Sequence, residues 1–249
     1  LTYKNTFNVN TPQLFSDGTG YVAETEKGLA FDFNGNSAEI KSDIDGIVIG
    51  KTVHRSEFGI SGGLFPSPSH ALLAYYEMDE RMVTQYPLYK LADTPATTNM
   101  IRYPTAGAKS HHVHVKIKDL RNVSDAITIK TTGDPEQYLT NVSWSADEKY
   151  VLIALVNRAQ NHMWLNKYDA KSGAFIKTLF EETNERYVEP EHAAIFLPND
   201  PSKFIWWSER DGYNHLYLYD IEGKLIKQLT KGEWIVTEYV GMSSDAKKL

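Results

Sequence analysis

Gly59-Ile60-Ser61-Gly62-Gly63 has the G-x-S-x-G spacing in which a serine can serve as a nucleophile. That chemistry needs a strand before the serine and a helix directly behind it, so that the hydroxyl stands beside helix N–H groups. Here the stretch runs on into GGLFPSPSH, with two prolines and no helical pattern. The glycines are therefore expected to serve turns entering the next strand, and Ser61 is not expected to attack a carbonyl. Just upstream, His54-Arg55-Ser56-Glu57-Phe58-Gly59 offers one carboxylate, Glu57, which by default would be a solvated loop group. Arg55 is expected to pair with a carboxylate or pack locally. In His111-His112-Val113-His114, His112 and His114 would share one strand face and could hold a metal, but no third ligand is near in sequence. Structural roles are expected for these and for the scattered His54, His70, His162, His192 and His215. Met78-Asp79-Glu80-Arg81 lacks the alternating oxygen ligands of a calcium loop. Trp144, Trp164, Trp206, Trp207 and Trp234 recur near strands and read as packing residues. No cofactor and no metal is expected.

The elements that would position these residues follow from composition and period. The chain has 249 residues, 41% hydrophobic and 23% charged, enough for one large core or two small ones, and this argues against disorder. A formal net charge of -6 has the wrong sign for neutralising a phosphate backbone, so nucleic acid is not an expected partner. Zero cysteines exclude disulfides, zinc-thiolate sites and a cysteine nucleophile, and leave the redox compartment open. No apolar run approaches the roughly 20 residues of a membrane span, and LTYKNTFNVN does not read as a secretory signal.

Alternation with a period of two marks strands at 71–78, 111–120, 150–158, 204–210 and 215–220, separated by Asp, Asn, Gly, Pro and Ser clusters. No long stretch carries a capped helical stripe, so the fold class is all-β. A weak repeat emerges when the turns are aligned: SPSH before ALLAYYEM, SADE before KYVLIALV, PNDP before SKFIWW, and SSDA (243–246) near the last residue. Two of these units continue through a second strand ending in Tyr-Asp to a third, GAFIKTLF or GKLIKQLT. A spacing of roughly 45–55 residues with three successive hairpin-linked strands predicts β-propeller blades, four-stranded antiparallel sheets that bury their faces by stacking. The unit between Gly63 and Leu139 is long enough for an inserted excursion near 79–110, and the first residues look ragged. By this reading residues 1–249 hold about four to five blades of a larger propeller, and GMSSDAKKL supplies a turn whose strand would follow Leu249.

In its phrases VHRSEFGISGGLFPSPSHALLAYYEMDERMVTQYPL (53–88), IRYPTAGAKSHHVHVKIKDL (101–120), YLTNVSWSADEKYVLIALVNRAQNHMWLNKYDAKSGAFIKTLFEE (138–182) and FLPNDPSKFIWWSERDGYNHLYLYDIEGKLIKQLTKGEW (196–234), the chain resembles the N-terminal propeller of the dipeptidyl peptidase IV family, prolyl oligopeptidase class, in its Bacteroides-like bacterial branch. The resemblance implies a propeller of about eight blades joined to a C-terminal α/β-hydrolase domain that carries the Ser, Asp and His of a serine exopeptidase. Such enzymes release N-terminal di- or tripeptides, often after proline. It also implies that Glu57, in HRSEFG, binds the free amino terminus of a peptide substrate. Many members have two consecutive glutamates there; this sequence has Ser56 before Glu57. Arg186, in ERYVEPEH, matches an arginine that faces substrate in some members. The implied location is periplasmic or extracellular, and the sequons at Asn122 and Asn141 would then be idle in a bacterial protein. Exposed blade edges would invite self-association into a homo-oligomer. The alternative to a peptidase region is a stand-alone propeller that serves as a protein-interaction platform.

Overall fold

The computed structural model describes residues 7, 9, 12–198 and 200–243, and the SSDA turn lies outside them except for Ser243. Strands dominate, arranged in four consecutive antiparallel sheets. The first contains β1 (Gln13–Leu14), β2 (Gly20–Glu24), β3 (Gly28–Phe33) and β4 (Asn36–Lys41), so the start expected to be ragged is a complete four-stranded sheet. Its alternation is broken by small residues, which hides its strands from a periodicity reading. The second sheet begins with β5 (Ile47–Ile49), β6 (Leu64–Pro66) and β7 (Leu72–Asp79). A separate hairpin, β8 (Gln85–Lys90) with β9 (Thr97–Arg102), then leaves the sheet where an excursion was expected, before β10 (His112–Asp119) and β11 (Ile127–Thr128) complete it. The third sheet is β12 (Tyr138–Trp144), β13 (Tyr150–Val156), β14 (His162–Asp169) and β15 (Phe175–Thr183). The fourth is β16 (Ile195–Leu197), β17 (Asp200–Ser208), β18 (His215–Asp220) and β19 (Leu225–Gln228).

Each sheet is apolar on both faces, and the period-two rule decides which residue meets which neighbour. On β13, Val151, Ile153 and Leu155 pack toward the second sheet, while Leu152, Ala154 and Val156 pack toward the fourth. On β7, Leu73 and Tyr75 face the first sheet, and Ala74 and Tyr76 face the third. Sheets stacked in chain order through alternating faces are blades of a partial β-propeller, because a single four-stranded sheet buries neither face alone. Polar ties also join neighbouring blades. Tyr76 donates its hydroxyl to the Leu139 carbonyl at 2.9 Å, and the Trp144 indole donates to the Phe65 carbonyl at 2.9 Å. Lys167, its side chain only 3% exposed, donates to Glu222 at 2.6 Å and to the Ile221 carbonyl at 3.1 Å.

Candidate functional site

One irregularity in this regular architecture carries HRSEFG. The edge strand of the second blade is split: β5 pairs with Glu77–Asp79 and β6 with Leu73–Tyr75 of the same β7, and the residues between leave the sheet as a loop. The loop is closed at its base by Tyr76, whose carbonyl accepts from Gly50 N–H at 2.8 Å and whose N–H donates to the Gly63 carbonyl at 3.0 Å. A Cβ on Gly63 would lie 2.2 Å from the Lys51 carbonyl oxygen, so this position requires glycine for close approach of the two loop ends. Gly59, at φ +70°, fits against the Glu191 backbone, where a Cβ would lie 2.1 Å from its carbonyl oxygen. Two glycines of the G-x-S-x-G stretch are thus explained by packing. Ser61 is exposed, and β6 follows it without an intervening helix, so the strand-to-helix elbow that the motif requires is absent.

The backbone around Glu57 is unusual. His54, Arg55, Ser56 and Phe58 all have φ between 52° and 63°, a left-handed region that costs non-glycine residues about 1–2 kcal/mol each. Burial and hydrogen bonds on either side hold this turn in place. Phe58 is buried against the Tyr138 ring, 5.0 Å centroid to centroid, and its carbonyl accepts from the Thr140 hydroxyl at 3.1 Å. His54 is buried; its Nε2 accepts from the Leu139 backbone N–H at 3.0 Å, and its Nδ1 lies 3.0 Å from His111 Nε2. Since Nε2 is occupied as an acceptor, the neutral ring carries its proton on Nδ1 and donates it to His111. His111, rather than His112 or His114, is therefore the histidine of HHVH with a structural task. Among the described residues no three His, Asp or Glu gather into a metal-holding group.

Burial, reinforced by the His111 and Arg158 charges, pushes His54 well below the ordinary histidine range. Burial, with Arg158 and Arg55, also pushes His111 down to about 4. Both must bind protons on unfolding below the unfolded-state value near 6.5, so their contribution is complete above that pH and is lost as pH falls toward 4. Urea midpoints are expected to drop steadily between about pH 6.5 and 4.5, and His111→Gln is expected to flatten that slope. An equal slope in the variant would place the proton uptake elsewhere.

Glu57 itself is exposed, its backbone extended between the left-handed Ser56 and Phe58. One carboxylate oxygen, Oε2, accepts from Gln160 Nε2 at 2.7 Å, and among the described residues Oε1 takes no partner. The same Gln160 nitrogen donates to the Tyr138 hydroxyl at 3.0 Å, which also accepts from the Arg158 guanidinium. The Gln160 backbone carbonyl accepts from Val188 N–H at 2.8 Å, in the segment between β15 and β16 that contains ERYVEPEH. Asn141 ties that segment down as well, donating its amide to the Pro190 carbonyl at 2.7 Å. Its side chain is thus committed to the interior.

Arg186 is exposed on this segment and lines a cleft of about 530 Å3 bounded by Glu181, Glu189, Glu191, Trp207 and Arg210. Among the described residues its guanidinium makes no ion pair, and Glu57 is not in the lining of that cleft. Glu57 and Arg186 therefore stand on adjoining segments joined through Gln160 and the Gly59–Glu191 contact, without bonding to each other. Sequence reasoning missed Gln160 and Tyr138, which look like turn and core residues until the blades are stacked.

Residues 32–249 match the family model described as the dipeptidyl peptidase IV N-terminal region. The structure is similar to that of the Bacteroides ovatus protein described as a "putative dipeptidyl aminopeptidase IV", with 40% identity and a TM-score of 0.87 over 95% of this chain and 36% of that one. It is also similar to Porphyromonas gingivalis dipeptidyl peptidase 4, with 25% identity and a TM-score of 0.81 over 96% of this chain and 35% of that one. In sequence it is 28% identical to dipeptidyl peptidase 4 of Arthroderma otae over 203 residues, which span 76% of this chain and 26% of that protein. The chain thus spans about a quarter of that curated relative and about a third of the two solved chains. With the family model matched across most of its length, the chain belongs to the dipeptidyl peptidase IV N-terminal region family.

Proposed function

We propose that this chain is the substrate-anchoring propeller region of a dipeptidyl peptidase IV-like serine exopeptidase, in which the bond-breaking Ser, Asp and His reside in a C-terminal α/β-hydrolase domain. In this reading the blades restrict access to slender peptides, Glu57 binds the peptide's free amino terminus, and Arg186 faces the substrate from the adjoining cleft. The products are N-terminal di- or tripeptides, and the site of action is the periplasm or the cell exterior. The observation that carries the reading is the Glu57 carboxylate: exposed between left-handed residues, fixed through one oxygen and open through the other. A carboxylate so held suits a primary ammonium, since charge-assisted hydrogen bonds are about twice as strong as neutral ones. Strain in the backbone at such a place is also typical of ligand clamps.

The test uses the complete protein that carries this chain. It is expected to hydrolyse a chromogenic Gly-Pro substrate with a free amine far faster than the N-acetylated counterpart, and Ser61→Ala is expected to leave both rates unchanged. Equal rates on the two substrates, or loss of turnover in Ser61→Ala, would refute the reading.

A further inference from the structure

We propose that Gln160 is the positioning residue for the Glu57 carboxylate, setting which oxygen and which direction the amino terminus meets. This inference rests on the reading of Glu57 given above.

The two residues are 103 positions apart and belong to different blades, yet the Gln160 amide sits 2.7 Å from Glu57 Oε2. The amide is itself held. Its nitrogen also donates to the Tyr138 hydroxyl at 3.0 Å, so rotation about the Gln160 side chain would break two bonds together. Tyr138 is only 5% exposed, with His54 and Phe58 rings each 5.0 Å away, and so cannot follow such a rotation. At the backbone, Gln160 stands in the left-handed region at φ 59°, bonded through its N–H to the Asn157 carbonyl at 2.9 Å and through its carbonyl to Val188 N–H at 2.8 Å. Side chain and main chain are thus both pinned, and an otherwise mobile surface glutamate is given one orientation.

The chemistry of the amide matters as much as its position. A Lys or Arg at this place would cancel the charge of Glu57 and compete with the incoming ammonium. A glutamine supplies directional N–H donation and leaves the carboxylate's net charge intact for the ligand. Arg158, the cation of this network, is kept one step back because it is bonded to Tyr138 and lies over its ring at 5.5 Å. With Oε2 taken by Gln160, Oε1 is the oxygen presented to an amine.

Gln160→Met keeps the length of the side chain and the backbone bond to Val188 while deleting the amide. In the complete protein it is expected to raise KM for a free-amine Gly-Pro substrate about tenfold, the scale of one hydrogen bond to a charged group, with kcat within about twofold. In a Glu57→Gln background the same substitution is expected to add no further KM change, because the group it positions has lost its charge. Tyr138→Phe, which keeps the buried ring and removes only the hydroxyl, serves as the second variant and is expected to raise KM about threefold.

A raised KM in Glu57→Gln beside wild-type values in Gln160→Met and Tyr138→Phe overturns this inference alone. Full effects of Gln160→Met persisting in the Glu57→Gln background also overturn it, since a merely structural residue would behave that way. A wild-type KM in Glu57→Gln refutes the amine-anchor reading, and the inference falls with it.

Discussion

Glu57→Gln in the complete protein is expected to lower kcat/KM for free-amine peptides about 100-fold, the scale on which truncating one partner of a desolvated charge pair acts. The substitution keeps the shape but removes the charge and turns one acceptor oxygen into an N–H donor, so the loss reports the ammonium–carboxylate attraction together with the lost acceptor. Gln160 cannot compensate, because its amide faces the same oxygen with the same donor. On an N-acetylated peptide, which carries no ammonium, the rate is expected to change by less than about twofold. This split between substrates is the informative quantity. A comparable loss on both would mean that Glu57 supports the loop rather than the ligand. Ser56 precedes Glu57, so Glu57 has no adjacent carboxylate.

Trp206→Ala is expected to be the most damaging of the core substitutions considered, costing about 3–5 kcal/mol. Trp206 is 1% exposed on β17 and packs into the apolar layer between the third and fourth blades, edge-on to Phe180 at 5.7 Å. Its indole N–H donates to Glu182 Oε1 at 3.2 Å, and that oxygen also accepts from Arg210 at 2.6 Å. Truncation therefore opens a cavity and disturbs a cross-blade ion pair together. Trp206→Phe, which keeps most of the packing and loses the donor, is expected to cost about 1–2 kcal/mol. In a domain of this size the alanine variant corresponds to a fall in Tm on the order of 10 °C, read by circular dichroism. Trp234, 50% exposed, is the control, and a Trp206→Ala shift no larger than that of Trp234→Ala would contradict the stacked-blade packing.

Much of this architecture was legible before any coordinates. YVLIALV announces a strand apolar on both faces, and β13 uses its two faces for two neighbouring blades. HLYLYD was bounded to the residue, and the excursion after MDER is a separate hairpin. These are local properties: a two-residue period and a turn cluster are complete within about ten residues. The first blade was not legible, because small residues such as Gly20, Ala23, Gly28 and Ala30 interrupt its apolar alternation and β1 has only two residues, both exposed.

The chain by itself determined the fold class and the presence of one carboxylate in HRSEFG, since residue types and local spacing carry both, while the family followed from the resemblance of its phrases. It also argued against an elbow at Ser61, through the prolines that follow it. Tertiary structure alone decided what that carboxylate meets. The split of the edge strand and the His54–His111 pair across 57 residues depend on how the strands of one blade pair, and the Glu57–Gln160 bond across 103 residues on how two blades stack. Blade stacking is driven by apolar area, which is non-directional and leaves no spacing signature between distant polar residues. Polar partners are selected only after the sheets have packed, when each buried donor must find an acceptor within reach.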